Sequence, residues 1–190
     1  ANPSDAALAA ARARVGTSRL VLSEKEHAVG VLADGVQVDL GGIGKGYAVD
    51  QMAALLAEWS IDVALIHGGR STVLGVGSPP GADGWPVAMH GPGSAARMLG
   101  CVGLHGRSLS GSGAGPRDRH VIDPRTGRPV QAHRGAWAVA ESATLSDALS
   151  TAFLVMSAEE VEQYCGQHPG VSGMLLDAKG KVSRLGTWDA

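Results

Sequence analysis

Asp39-Leu40-Gly41-Gly42-Ile43-Gly44-Lys45-Gly46-Tyr47-Ala48-Val49-Asp50 sets four glycines around one lysine. The apolar residues from Val36 to Leu40 read as a short strand. Downstream, Ala48, Met52, Leu55, Leu56 and Trp59 recur at helical spacing, which predicts an amphipathic helix from Tyr47 to Trp59. A Gly-rich strand-to-helix turn is the local structure an anion site needs. Glycines let backbone approach a ligand, the unpaired N–H groups of a helix start favour negative charge, and Lys45 adds a point charge. Taken alone such a turn also serves simply to reverse the chain, so its meaning depends on what accompanies it.

The chain has 190 residues and 44% apolar content, enough for one domain with a core. A formal net charge of -2 gives no sequence-wide basic field for nucleic acid. No apolar run approaches the ~18 residues of a membrane-crossing helix. Ala1-Asn2-Pro3 reads as a processed or cut end, so the compartment is open. Cys101 and Cys165 lie far apart without metal-ligand spacing and are expected as buried free thiols.

Outward from the glycine stretch, Pro3-Ser4-Asp5 caps a helix expected over Ala6 to Val15. Strands are predicted at Leu20 to Ser23, Ala28 to Leu32, Val63 to Ile66 and Ser71 to Val76, with His67-Gly68-Gly69-Arg70 breaking the chain between the last two. Val87 to Met89, Ala96 to Val102 and Arg107 to Ser110 are weaker strands, and Gly111 to Asp118 reads as a glycine-rich loop. A helix over Thr144 to Met156 is followed by the capping box Ser157-Ala158-Glu159-Glu160 and a second helix. Val171 to Leu176 and Val182 to Leu185 form a closing hairpin. The pattern is α+β, in one domain over residues 1–190.

Two later segments carry chemistry. His120-Val121-Ile122-Asp123-Pro124-Arg125-Thr126-Gly127-Arg128-Pro129 contains a turn by its composition, and His120 enters it where a side chain can face a cleft. In Thr144-Leu145-Ser146-Asp147-Ala148-Leu149-Ser150-Thr151-Ala152, Asp147 and Thr151 are spaced i, i+4 and share one helix face. A carboxylate beside a hydroxyl is a hard-oxygen pair suited to Mg²⁺. Asp147 also fits the capping-box spacing from Thr144 and so equally reads as a helix cap. An anion loop, a hard-cation pair and a histidine together point to Mg²⁺-assisted chemistry on a phosphate ester or anhydride. Neither a Walker A loop nor a strand-linked G-x-G-x-x-G is present, so P-loop and Rossmann readings are not supported.

In this order the segments resemble the ApbE family of FAD:protein FMN transferases, through Asp39 to Asp50, Gly68-Gly69, His120 to Pro129 and Ser146 to Ala152. The resemblance implies an ApbE-like (T-fold-like) domain, a mixed or antiparallel sheet packed with helices. It implies FAD as substrate and Mg²⁺ as cofactor. FMN passes to a Thr or Ser hydroxyl of an acceptor protein carrying a flavinylation motif, and AMP is released. Matched to the family's motifs, Asp147 and Thr151 would hold the metal through side-chain oxygens, and the backbone at Gly44 and Ser150 would complete that site. Gly41, Gly42, Lys45, Tyr47 and His120 would line the FAD site. His120 and Asp147 are the two candidates for taking the hydroxyl proton, and a carboxylate committed to a cation is the poorer base.

The sequence departs from the family in three places. The family's N-terminal third has no counterpart, which makes a partner chain or retained fragment part of the expectation. His67-Gly68-Gly69-Arg70-Ser71 stands where the family has N-x-G-G-D, and Gly44 replaces an alanine. Two further readings stand beside the transferase: an FAD pyrophosphatase giving FMN and AMP, and a non-catalytic flavin- or nucleotide-binding module.

Overall fold

The computed structural model describes residues 3–91, 97–113 and 121–188. In chain order its elements begin with α1 (Asp5–Arg12), β1 (Leu20–Ser23), β2 (Ala28–Val31), α2 (Gly44–Glu58), β3 (Ala64–Gly68), β4 (Thr72–Val76), β5 (Trp85–His90) and β6 (Met98–Leu104). They continue with β7 (Arg107–Gly113), β8 (Ile122–Asp123), β9 (Arg128–Pro129), β10 (His133–Ala140), α3 (Ala143–Val155), α4 (Ala158–Gln167), β11 (Ser172–Asp177) and β12 (Val182–Gly186). The chain divides into two compact units, residues 1–39 with 122–129, and residues 40–121 with 130–190.

The smaller unit holds α1 and two short antiparallel hairpins, β1–β2 and β8–β9. Ser4 caps α1 as its sequence predicts, its Oγ accepting from the Ala7 N–H at 3.2 Å. The helix stops at Arg12 rather than Val15, ahead of Gly16 at φ 127°. In the β8–β9 turn Gly127 has φ 69°, and a Cβ there would meet Leu8 Cδ1 at 2.6 Å, so the turn both needs and uses its glycine. Asp123 accepts from the Arg125 N–H at 2.8 Å and from Arg125 Nε at 3.1 Å. The Arg125 side-chain bonds hold the Asp123 carboxyl below its usual range. Arg125 thus pairs within its own turn.

The larger unit is built on a six-stranded sheet, in the order β12-β11-β10-β7-β4-β3, with every neighbouring pair antiparallel. The α+β expectation with an antiparallel sheet is met. Period-two alternation sorts the two faces. On β10, Ala136, Ala138 and Ala140 face one way, joining Leu149, Phe153 and Leu154 of α3 and Val161 of α4. Trp137 and Val139 face the other way, meeting Met89, Val102 and Leu104 of the β5–β6 hairpin. The three alanines on the helix side let α3 lie close. Phe153 at 0% exposure then fills the layer, and burial of such a side chain is worth about 1.5–3 kcal/mol.

Several sequence expectations are corrected here. Val36 to Leu40 is not a strand: no ladder pairing involves it among the described residues, and an apolar run needs a neighbour to become one. The helix after the glycine stretch starts at Gly44, a turn before Tyr47. β3 runs through His67 and Gly68, so the break falls at Gly69 and Arg70, with Gly69 at φ 71°. β7 continues to Gly113, taking in Gly111 and Ser112 that composition had assigned to a loop. Cys165 is buried, and loss of solvation pushes its thiol up. Cys101 is exposed, because on β6 the alternation turns Val102 and Leu104 inward and Cys101 outward.

α2 and α3 start side by side, and each is capped by an aspartate of the other. Asp50 of α2 accepts from the N–H groups of Ala143 and Thr144, both at 2.8 Å, and from the Thr144 hydroxyl. Ser142 takes the next N–H, Leu145, at 3.1 Å. In return Asp147 of α3 accepts from the Gly46 N–H of α2 at 3.0 Å. Asp50→Ala strips two N–H groups and a hydroxyl of a charged acceptor, each such bond being worth about 1.5–3 kcal/mol with partial replacement by water. The expected loss is about 2 kcal/mol, measured by chemical denaturation, whereas a loss under about 0.5 kcal/mol would mean that water replaces the cap in full.

Candidate active site

Asp147 is 2% exposed and gathers the polar groups around it. Lys45 Nζ lies 3.2 Å from Oδ1 and 3.5 Å from Oδ2. Thr72 of β4 donates its hydroxyl to Oδ1 at 3.3 Å, and the Gly46 N–H donates to Oδ2. The helix start that the sequence offered to a ligand anion therefore already holds an anion, the protein's own carboxylate. Asp147 is not the cap of its own helix, since that position is filled by Ser142. The capping-box alternative from Thr144 is resolved: Thr144 gives its hydroxyl to Asp50.

A buried hydroxyl network extends from this centre along the strand. Ser108, Ser110 and Ser112 alternate with Leu109 and Gly111 on β7, so all three project to one face of the sheet. On that face α3 presents Ser146, Ser150 and Thr151. Ser146 Oγ lies 2.9 Å from Ser108 Oγ and 2.8 Å from Ser110 Oγ, and Ser110 donates to Thr72 Oγ1 at 3.2 Å. Ser112 Oγ lies 2.9 Å from Ser150 Oγ and 3.0 Å from Thr151 Oγ1.

The glycines of the opening stretch divide their work. Lys45 Nζ reaches the Gly41 carbonyl at 3.5 Å, and a Cβ on Gly42 would lie 3.7 Å from Thr151 Oγ1, which sets this loop beside the α3 hydroxyls. The Gly44 N–H bonds the Leu40 carbonyl at 2.7 Å. Gly46 serves packing: a Cβ there would fall 2.1 Å from the Ala143 carbonyl oxygen.

A cleft of about 490 Å³ adjoins these residues. Thr72 and Ser112 belong to its lining, with apolar walls from Val87, Met89, Leu109 and Trp137 and with His67, Arg70 and His90 contributing polar groups. Trp137 lies between two glycines, since a Cβ on Gly111 or Gly135 would meet its ring at 2.7 or 2.6 Å.

Of the residues singled out in the sequence, the structure brings together Gly41, Gly42, Lys45, Asp147, Ser150 and Thr151. Gly44 opens α2 beside them. Tyr47 is 58% exposed on the same helix. His120 lies outside the described residues. Sequence reasoning missed Gly46, Asp50, Thr72 and Ser112. The serine alternation at 108, 110 and 112 was a signal of a polar sheet face, masked by Gly111 and Gly113.

Comparison with known proteins adds the family. The model described as the ApbE family matches residues 1–175. The chain belongs to the ApbE family. Similar curated ApbE relatives named FAD:protein FMN transferase include that of Klebsiella pneumoniae (strain 342), 32% identical over 178 residues covering 85% of this chain and 49% of the relative. The one from Treponema pallidum (strain Nichols) is 31% identical over 169 residues, covering 79% and 46%. The chain spans about half the length of the curated relatives it matches. Among solved structures, the flavin transferase ApbE of Vibrio cholerae superposes with a TM-score of 0.80 at 23% identity, over all of this chain and 62% of that one. The ApbE protein of Thermotoga maritima does so with 0.82 at 25%, over 97% and 62%. The first of these likenesses speaks for the fold alone.

Proposed function

We propose that this chain carries the active site of a magnesium-dependent FAD:protein FMN transferase, which moves FMN from FAD to a Thr or Ser hydroxyl of an acceptor protein and releases AMP. The observation that carries the reading is the buried Asp147 carboxylate, held among Lys45, Thr72 and Gly46 and continued along α3 by the hydroxyls of Ser150 and Thr151. Among the described residues no group of three or more His, Cys, Asp or Glu is gathered for a metal. One carboxylate with hydroxyl and backbone oxygens fits Mg²⁺, which is held by one or two carboxylates and keeps room for water and substrate phosphate. The two carboxylate oxygens of Asp147 offer about four lone-pair sites; Thr72 and Gly46 take one each, and the two Lys45 contacts are freed when that half-exposed side chain turns away.

In this reading Asp147, Thr151, Ser150 and Gly44 hold the ion. When bound, the ion neutralises charge on the pyrophosphate and orients the AMP leaving group. Lys45 supplies a second positive charge, half exposed and able to turn from Asp147 to a phosphate. Gly41, Gly42 and Tyr47 line the approach of FAD. The acceptor hydroxyl oxygen bonds to the FMN phosphorus, the bond from that phosphorus to the bridging oxygen breaks, and AMP departs with the oxygen. His120 is our assigned acceptor of the hydroxyl proton, because Asp147 is already committed to cations. The family match over residues 1–175 takes in residues of both compact units, and we read them as parts of one ApbE-like domain. Met52, Leu55 and Trp59 are exposed on α2 beside Tyr47, which supports a further segment or partner chain covering that helix.

Incubation with FAD and Mg²⁺, with and without a threonine acceptor peptide, tests the proposal. The expected result is a covalent FMN adduct by mass spectrometry with AMP in equal amount. AMP and free FMN without adduct would replace transfer by hydrolysis, and unchanged FAD would leave a binding module.

A further inference from the structure

Ser112 stands where the buried network reaches the cleft. Each hydroxyl of the group has one proton to give and two lone pairs to offer. Ser150 donates to the Asp147 carbonyl at 3.0 Å, which commits its proton. In the 2.9 Å contact between Ser112 and Ser150, Ser112 is then the donor. With its own proton committed, Ser112 accepts from Thr151 across 3.0 Å. The order of donation is thus Thr151 to Ser112, Ser112 to Ser150, and Ser150 to the Asp147 carbonyl. The alternative acceptor for Thr151 is that same carbonyl, but at 3.4 Å it is farther away and already takes the Ser150 proton.

The consequence lies at Thr151 Oγ1. A hydroxyl ligates a hard cation through a lone pair, so its proton has to point elsewhere. With the proton turned to Ser112, the oxygen keeps its lone pairs for other directions, and Gly42, which brings no side chain, stands beside it. We propose that Ser112 is a positioning residue for the metal site, fixing the Thr151 hydroxyl as an acceptor toward the cation. The inference rests on the metal reading above. Partners that orient metal ligands in this way change metal affinity about 10–100-fold when removed.

The test is a titration of the full chain with Mn²⁺, followed by electron paramagnetic resonance of the free ion, together with the magnesium dependence of FAD cleavage. Ser112→Ala is expected to raise the Mn²⁺ Kd at least about tenfold. It should also raise the magnesium concentration for half-maximal turnover by a similar factor, with turnover at saturating magnesium changed less. Ser112→Thr and Ser112→Val have nearly equal shape, suit a strand and differ by the hydroxyl. Threonine should restore affinity and valine should not, which keeps the test valid if the alanine variant folds poorly. Equal affinity in parent, Ala and Val variants would overturn the role of Ser112 and leave the metal site standing. Equal weakening by Thr and Val would assign the effect to packing and overturn it as well. A parent that binds no Mn²⁺ would remove the metal reading and this role with it.

Discussion

Gly46→Ala should destabilise the chain by about 2 kcal/mol, although helix propensity alone predicts the opposite. Gly46 lies inside α2, where alanine is favoured over glycine by about 1 kcal/mol. The added methyl would sit 2.1 Å from the Ala143 carbonyl oxygen, 2.5 Å from its carbonyl carbon and 2.7 Å from Thr144 Cα. All three are backbone atoms at the start of α3, itself fixed by Asp50 and Ser142. No side-chain rotation relieves the clash, so the two helix starts must separate. Separation also pulls the Gly46 N–H away from Asp147. The strain term, at the upper end of the roughly 1–3 kcal/mol range for overpacking, exceeds the propensity gain. Gly166 of α4 is the internal contrast: a Cβ there meets nothing within 4 Å, and Gly166→Ala should be neutral or stabilising. Chemical denaturation of the two variants reads both signs. A Gly46→Ala protein as stable as the parent would show that α2 and α3 do not meet as closely as described.

That glycine shows how far the sequence could be read. Four glycines around a lysine at a helix start suggested backbone cleared for a ligand. Gly42 does lie beside the Thr151 hydroxyl, but Gly46 is cleared for another helix, and spacing along a chain does not say what approaches from elsewhere. The helices, the closing hairpin and the capping box at Ser157 were legible because local rules place them. The strand at Val36 to Leu40 failed because pairing is decided by distant residues. Asp147 was singled out for its neighbour Thr151 at i+4, a spacing that a single helix makes visible. Its contacts with Thr72 and Gly46 come from segments 75 and 101 residues away. Ser112 was hidden because its strand is glycine-rich and took the composition of a loop.

Asp147 carries the second large effect, and two substitutions separate its two roles. As a distant cap of α2 it needs an oxygen that accepts from Gly46; as a metal ligand it needs a negative charge. Asp147→Asn keeps the shape and one carbonyl oxygen but removes the charge. If the cap were its whole function, this variant would keep both stability and turnover. In the metal reading it keeps most of its stability and loses Mn²⁺ affinity. FAD cleavage then falls on the order of 10³-fold, since about 4 kcal/mol of transition-state charge stabilisation is withdrawn. Asp147→Ala should lose turnover equally and lose stability as well. It leaves the Gly46 N–H and the buried Thr72 hydroxyl without their acceptor, at about 1–3 kcal/mol for each group so stranded. Lys45, with 45% of its side chain exposed, regains water and adds little to that loss. Thermal melts, Mn²⁺ titration and AMP release measured on the three proteins give the comparison. Turnover by the Asp147→Asn protein within tenfold of the parent at saturating magnesium would move the metal away from Asp147 and leave this residue as the clasp between two helix starts.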